Sequence, residues 1–228
     1  MNAAATLTVY DGVNPLITVV DNGAGDLSGA TGAIILITNV GVWNLDINTA
    51  ETKPVLGSPT GPVMTLSVQA NSSAAGSLSF TFSDNGFGPA SGLLTAITTG
   101  HVISGAGVTA TYDVYGDPAN VIGATTDHIA SAGTTTLPTT ATGSGPLALP
   151  TPFSLTQVET FVASGPTRIS ADASLQVVPE PGVMGLGALG LAVFALGRPR
   201  RKQAYPRAFR FTRVSTPADV RVGSATGE

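Results

Sequence analysis

Residues 77–84 read SLSFTFSD. Successive side chains of an extended chain point to opposite faces, so Leu78, Phe80 and Phe82 share one side. Ser77, Ser79, Thr81 and Ser83 share the other. This strict alternation is the mark of a strand with one face on a core and one in water, the usual condition of an antiparallel sheet. Residues 63–70, VMTLSVQA, repeat it, with Leu66 and Val68 opposed to Thr65, Ser67 and Gln69.

Similar runs occur on both sides. They are TLTVY (6–10), PLITVVD (15–21), GAIILITNV (32–40), VWNLDIN (42–48), LLTAITT (93–99), VTATYDVYG (108–116), SLTQVETFVA (154–163) and TRISADASLQVV (167–178). Turn chemistry separates them: DNGAGDLSGATG (21–32), GSPTGP (57–62), NSSAAG (71–76) and SDNGFGPASG (83–92). In these, Asn-Gly pairs supply positive φ at low cost. About ten short strands at this spacing predict an all-β fold, an antiparallel β-sandwich or jelly-roll-like domain over residues 3–178. Residues 131–152, SAGTTTLPTTATGSGPLALPTP, are low in complexity. They read either as a flexible excursion or as a polar edge hairpin.

Composition agrees. Of 228 residues, 28 are Gly and 16 Pro, and only 11% are charged, which suits strands and turns and not a helical bundle. The charge is divided sharply. Residues 1–197 hold Lys53 and Arg168 against twelve Asp and Glu, whereas residues 198–228 hold eight Lys and Arg against Asp219 and Glu228. An acidic body offers no surface to phosphate, so nucleic acid is not an expected partner. The absence of cysteine excludes thiol catalysis and Cys-based metal centres. The opening MNAAATLTVYDG has neither a charged n-region nor a long apolar h-region. Its Ala3-Ala4-Ala5 reads as the flank of a cleavage site whose upstream part is missing, or as chance in an Ala-rich chain.

From Gly182 to Gly197 the sequence GVMGLGALGLAVFALG has no charge. As a helix it is about 24 Å long, against a hydrocarbon layer of about 30 Å. Five glycines and no polar face argue against a soluble core helix and for a single short transmembrane helix at 182–197. Arg198, Arg200, Arg201 and Lys202 follow at once, a membrane-stop cluster that places the C-terminal side in the cytoplasm and the β-domain outside.

Val178-Pro179-Glu180-Pro181, the Gly- and Leu-rich run and the Arg-Pro-Arg-Arg-Lys cluster together resemble the PEP-CTERM sorting signal of Gram-negative bacteria. The resemblance covers residues 178–202. It implies recognition of the Pro-Glu-Pro by an exosortase-type processing enzyme and an inner-membrane intermediate. It also implies delivery to the cell envelope or extracellular matrix, in association with polysaccharide and biofilm. It implies a destination and not an activity. Residues 203–228 depart from that pattern, because the basic cluster normally ends such proteins. The extension is basic with little apolar periodicity and is expected to be disordered. It reads as the product of a frameshift or shifted stop, or as a segment whose Arg207, Arg210 and Arg213 meet anionic headgroups.

The body holds few candidates for chemistry. Asp21, Asn22 and Asp26 place carboxylates and an amide oxygen in a Gly-rich turn that can wrap Ca²⁺, without the spacing of an EF-hand loop. The same residues suit an Asx-type turn, and Ser83-Asp84-Asn85-Gly86 offers the same two readings, Ca²⁺ ligands or a turn. His101 and His128 lack zinc-site spacing. No G-x-S-x-G elbow or Walker loop occurs. Glu51 and Glu159 form a glycosidase pair only if the fold brings them together. Trp43, with Tyr10, Tyr112 and Tyr115, suits either sugar stacking or core packing. No catalytic residue is assigned, and no cofactor beyond Ca²⁺ is expected. The leading expectation is a non-enzymatic exported protein of structural or adhesive role. The alternative is a carbohydrate- or Ca²⁺-binding β-sandwich module, and a secreted hydrolase is the third reading.

Overall fold

Twelve strands alternate with tight turns in the computed structural model, which describes residues 5–179. Glu180, Pro181, the apolar run 182–197, the basic cluster and the extension 203–228 lie outside the described residues. The strands are β1 (Thr6–Tyr10), β2 (Ile17–Val20), β3 (Ala33–Val40), β4 (Trp43–Glu51), β5 (Val63–Ser72) and β6 (Gly76–Phe87). They continue with β7 (Ser91–Gly105), β8 (Val108–Asp117), β9 (Asp127–Thr136), β10 (Thr139–Ala148), β11 (Phe153–Ala163) and β12 (Thr167–Pro179).

They form two six-stranded sheets. The first has the order β2-β1-β6-β11-β8-β9 and the second β10-β7-β12-β5-β4-β3. Every neighbouring pair is antiparallel. The last eight strands alone give β6-β11-β8-β9 over β10-β7-β12-β5, the strand order of a jelly roll. β1–β2 and β3–β4 each widen one sheet by two strands on the same side. The described residues thus form an all-β, antiparallel β-sandwich.

The alternation that suggested strands also builds the core. Leu78, Phe80 and Phe82 of β6 are wholly buried and meet Leu66 and Val68 of β5 in one hydrophobic cluster between the sheets. Phe80 packs edge-on to Phe161 of β11, ring centroids 6.4 Å apart. The outward hydroxyls pair across strands, Ser79 with Thr160 at 3.0 Å and Thr111 with Thr134 at 2.9 Å. Such pairs satisfy polar groups on a face that carries almost no charge.

One expectation is corrected, and one open choice is decided. Residues 83–86, expected as part of a turn, remain inside β6. Gly86 sits at φ +69, and the pairing with β11 slips between Phe153 and Leu155, so these residues form a bulge. Asn120 holds the bulge by accepting the Gly86 N–H at 2.7 Å. Residues 127–136 and 139–148 are two strands, and of the two readings of 131–152 the structure has the hairpin. It is no ordinary edge hairpin, because β9 joins the first sheet and β10 the second. The two backbones approach so closely that a Cβ at Gly143 or Gly145 would overlap the carbonyl oxygen of Ser131 or Ile129. The glycines that make this segment look unstructured are what lets the sandwich close along that side.

Candidate functional site

A cleft of about 550 Å³ opens at one end of the sandwich, lined by Ala5, Asp21, Asn22, Thr31, Lys53 and Asp84 and by Pro54, Gly57, Ser58 and Pro59. It lies within the size range of small-molecule sites. Its walls come from segments distant in sequence: the start of β1, the loop from β2 to β3, the loop after β4, and the bulged end of β6.

The first wall is a turn held by its own carboxylates. The Asp21 amide donates to the Ala5 carbonyl at 2.9 Å, and Asp21 Oδ2 accepts the Gly32 N–H at 2.9 Å. Asn22 adopts φ +57, a conformation that Asn tolerates, and its Nδ2 donates to Asp21 Oδ1 and to Thr31 Oγ1. Asp26 faces its own loop. Its Oδ2 accepts the Asn22 N–H, and its Oδ1 accepts those of Ser28 and Ile35. The three candidate Ca²⁺ ligands therefore divide: Asp21 and Asn22 line the cleft, and Asp26 ties the loop to β3. Among the described residues, no group of three or more His, Asp and Glu side chains gathers in a way that could hold a metal ion.

The second wall is built on Lys53. Its Nζ lies 2.6 Å from Asp84 Oδ2, donates also to the Asn85 carbonyl, and sits 4.1 Å from the centre of the Phe87 ring. Thr52 Oγ1 donates to the same Asp84 oxygen at 2.8 Å, and the Asn85 N–H donates to the other at 2.7 Å. Lys53 and Asp84 are both nearly buried, so each charge depends on the other. Beyond the Pro54 turn, Ser58 and Gly61 exchange backbone hydrogen bonds, and the Gly88 N–H ties Pro59 to the β6–β7 connection. The cleft is thus pre-formed, with its polar groups held by bonds within the protein.

The other sequence candidates lie elsewhere. Trp43 is 1% exposed and belongs to the core, as its packing reading expects. Tyr112 is buried and donates to Gln157 Oε1 at 2.7 Å. Tyr10 lies on β1 and Tyr115 on β8, with β6 and β11 between them, so the aromatic residues share no platform. Tyr115 stacks edge-on to His128, whose Nε2 is 3.1 Å from Asp113 Oδ1. Burial first, then the Asp113 charge, pushes the Tyr115 hydroxyl above its usual range. His101 is exposed on β7 opposite Ser170.

Glu51 and Glu159 are not brought to one cleft. Glu51 is half-buried beside Thr65 in the second sheet, and Glu159 is wholly buried between the sheets. Thr98 Oγ1 donates to Glu159 Oε1 at 2.7 Å, while Glu159 Oε2 and Gln157 Nε2 have no partner among the described residues. Burial pushes the Glu159 carboxyl up to about 8, the Thr98 hydrogen bond opposing and the Asp172 charge adding to the shift. Of the motif at 178–181, Val178 and Pro179 are the last two residues of β12, paired with Leu93 and Gly92.

Sequence reading missed Thr31, Lys53 and Ser58 as lining residues, and it singled out Asp84 only within a Ca²⁺-or-turn motif. One signal was present: Lys53 is the sole lysine before the basic tail. A lysine that the fold buries is almost always paired.

No family model and no curated protein matches the sequence. Among solved structures, the chain is similar to TmCBM61 in complex with β-1,4-galactotriose. The identity is 12%, covering 60% of this chain and 88% of that one, with a TM-score of 0.32. It is similar to the xylan-binding domain from CBM 22 at 13% identity, covering 68% and 96%, with a TM-score of 0.31. It is also similar to the enzymatically active domain of bacteriophage CBA120 tailspike protein 4, at 12% identity over 61% and 20%, with a TM-score of 0.32.

Proposed function

We propose that the β-domain is a non-catalytic saccharide-binding module and that the end cleft is its binding site. The observation that carries this reading is the cleft's lining. Carboxylate, amide and hydroxyl groups of Asp21, Asn22, Thr31 and Ser58 stand beside the apolar rings of Pro54 and Pro59. A sugar presents the same mixture, with hydroxyls to donate and accept and C–H faces to cover. A phosphorylated ligand fits less well, because the one ammonium in the lining is held by Asp84.

The test is binding of full-length protein to a panel of oligosaccharides. Thr31 is exposed at the cleft wall, so Thr31→Trp fills the cleft without disturbing the core. It is expected to weaken saccharide binding at least about tenfold, the effect of losing one good contact or more. Thr140→Trp, on an exposed position of β10, is expected to leave binding unchanged. Equal loss in both variants, or in neither, contradicts the assignment.

A second reading concerns destination and rests on the tail. β12 runs up to Pro179, the first residue of the Pro-Glu-Pro, and the sequence beyond it carries the apolar run and basic cluster. That succession supports export of the domain as a cell-envelope or matrix protein released by an exosortase-type enzyme, with the module serving adhesion to extracellular polysaccharide. Fractionation of cells with and without that enzyme is expected to show a shorter, released form only in its presence. One full-length cytoplasmic form in both would contradict it.

A further inference from the structure

Resting on the saccharide-binding reading above, we infer that the cleft takes uncharged saccharides and rejects acidic ones, with Asp21 as the discriminating side chain. Asp21 is 7% exposed and lines the cleft. Each of its oxygens accepts one internal hydrogen bond, from Gly32 N–H and from Asn22 Nδ2, which leaves acceptor capacity on both. Asp21 forms no ion pair among the described residues. A sugar hydroxyl entering the cleft can therefore donate to a carboxylate, a bond about twice as strong as one between neutral groups.

An acidic sugar meets the opposite situation. Lys53 is the one basic side chain in the lining, and its ammonium is taken up by Asp84, the Asn85 carbonyl and the Phe87 ring. A uronate placed in the cleft brings a second carboxylate against Asp21, with the one lining cation already committed to Asp84. The field at longer range has the same sign. Over residues 5–179, eleven Asp and Glu stand against Lys53 and Arg168, and Arg168 lies 3.7 Å from Asp46. Approach of polyanionic chains is opposed before contact, and salt weakens that opposition.

The experiment compares a neutral oligosaccharide that binds with its counterpart in which one C6 hydroxymethyl is a carboxylate. The wild-type chain is expected to bind the uronate at least about tenfold more weakly. In Asp21→Asn, which keeps an acceptor for the Gly32 N–H, the ratio falls to about threefold or less. Thr31→Asp adds a carboxylate at an exposed wall position and widens it, which secures the test should Asp21→Asn fold poorly. A uronate that binds the wild type as tightly as the neutral sugar overturns the specificity and leaves the binding module standing. A ratio unmoved in both variants does the same. Failure of every saccharide to bind overturns both.

Discussion

Lys53→Met is expected to remove about 3–5 kcal/mol of folding stability, the usual cost of leaving a buried charge without its partner. Asp84 would keep the hydrogen bonds from Thr52 and Asn85 but lose its cation, at a position only 5% exposed. The contact of the ammonium with Phe87 is lost as well. Against a typical domain stability of about 5–15 kcal/mol, that is a large fraction. Urea unfolding of the full-length chain at pH 7 gives the value directly. The double variant Lys53→Met/Asp84→Asn is expected to recover most of the loss, because the buried charge is then gone from both sides. A single variant within about 1 kcal/mol of wild type would show that the pair is not buried as described.

Glu159 is expected to make the fold weaken as pH rises. Its carboxyl has an ordinary value of 4.5 and is pushed to about 8 between the sheets. Between those values the unfolded chain has released this proton and the folded chain holds it. Stability therefore falls with pH by about 1.4 kcal/mol per unit over that window and levels off above it. The whole effect is on the order of 5 kcal/mol. Glu159→Gln keeps an oxygen to accept the Thr98 hydroxyl and removes the titration. Its stability relative to wild type should rise steadily from pH 4.5 to pH 8, the window the two values set. Parallel stability curves for the two proteins would contradict this. Among the described residues no group donates to Glu159 Oε2, which adds a reason why ionisation is costly here.

What could be read from the residues and what could not divide along physical lines. Strands such as β6 and β5 were legible because Leu78, Phe80 and Phe82, or Leu66 and Val68, alternate with hydroxyl residues, and this pattern needs no partner to interpret. β9 and β10 were not resolved into one reading because their inward positions are partly glycines. Gly143 and Gly145 answer to the backbone of another strand, and a sequence does not announce such a neighbour. The turn expected at 83–86 failed for a related reason. Asn85-Gly86 does supply a positive φ, but β11 pairs on either side of it and Asn120 supports it, so the chain bulges instead of reversing.

The cleft shows the same division. Asp21, Asn22 and Asp26 were visible as a turn with oxygen-rich side chains, and two of them do face the cleft. Lys53 and Asp84 are 31 residues apart, on strands of different sheets or their ends, and only the fold brings them to 2.6 Å. Trp43 illustrates the reverse case. An aromatic residue in an alternating strand can be a stacking surface but is more often core, and its 1% exposure decides for the core.

The most direct test of the saccharide-binding module is amide chemical-shift mapping of the isotopically labelled chain during titration with a binding oligosaccharide. Saturable shifts are expected at Asp21, Asn22, Thr31, Lys53, Gly57 and Ser58, the residues that line the cleft, and not along the outward face of β7 and β10. Shifts confined to those outer strands, or no saturable shift with any saccharide, would contradict the account.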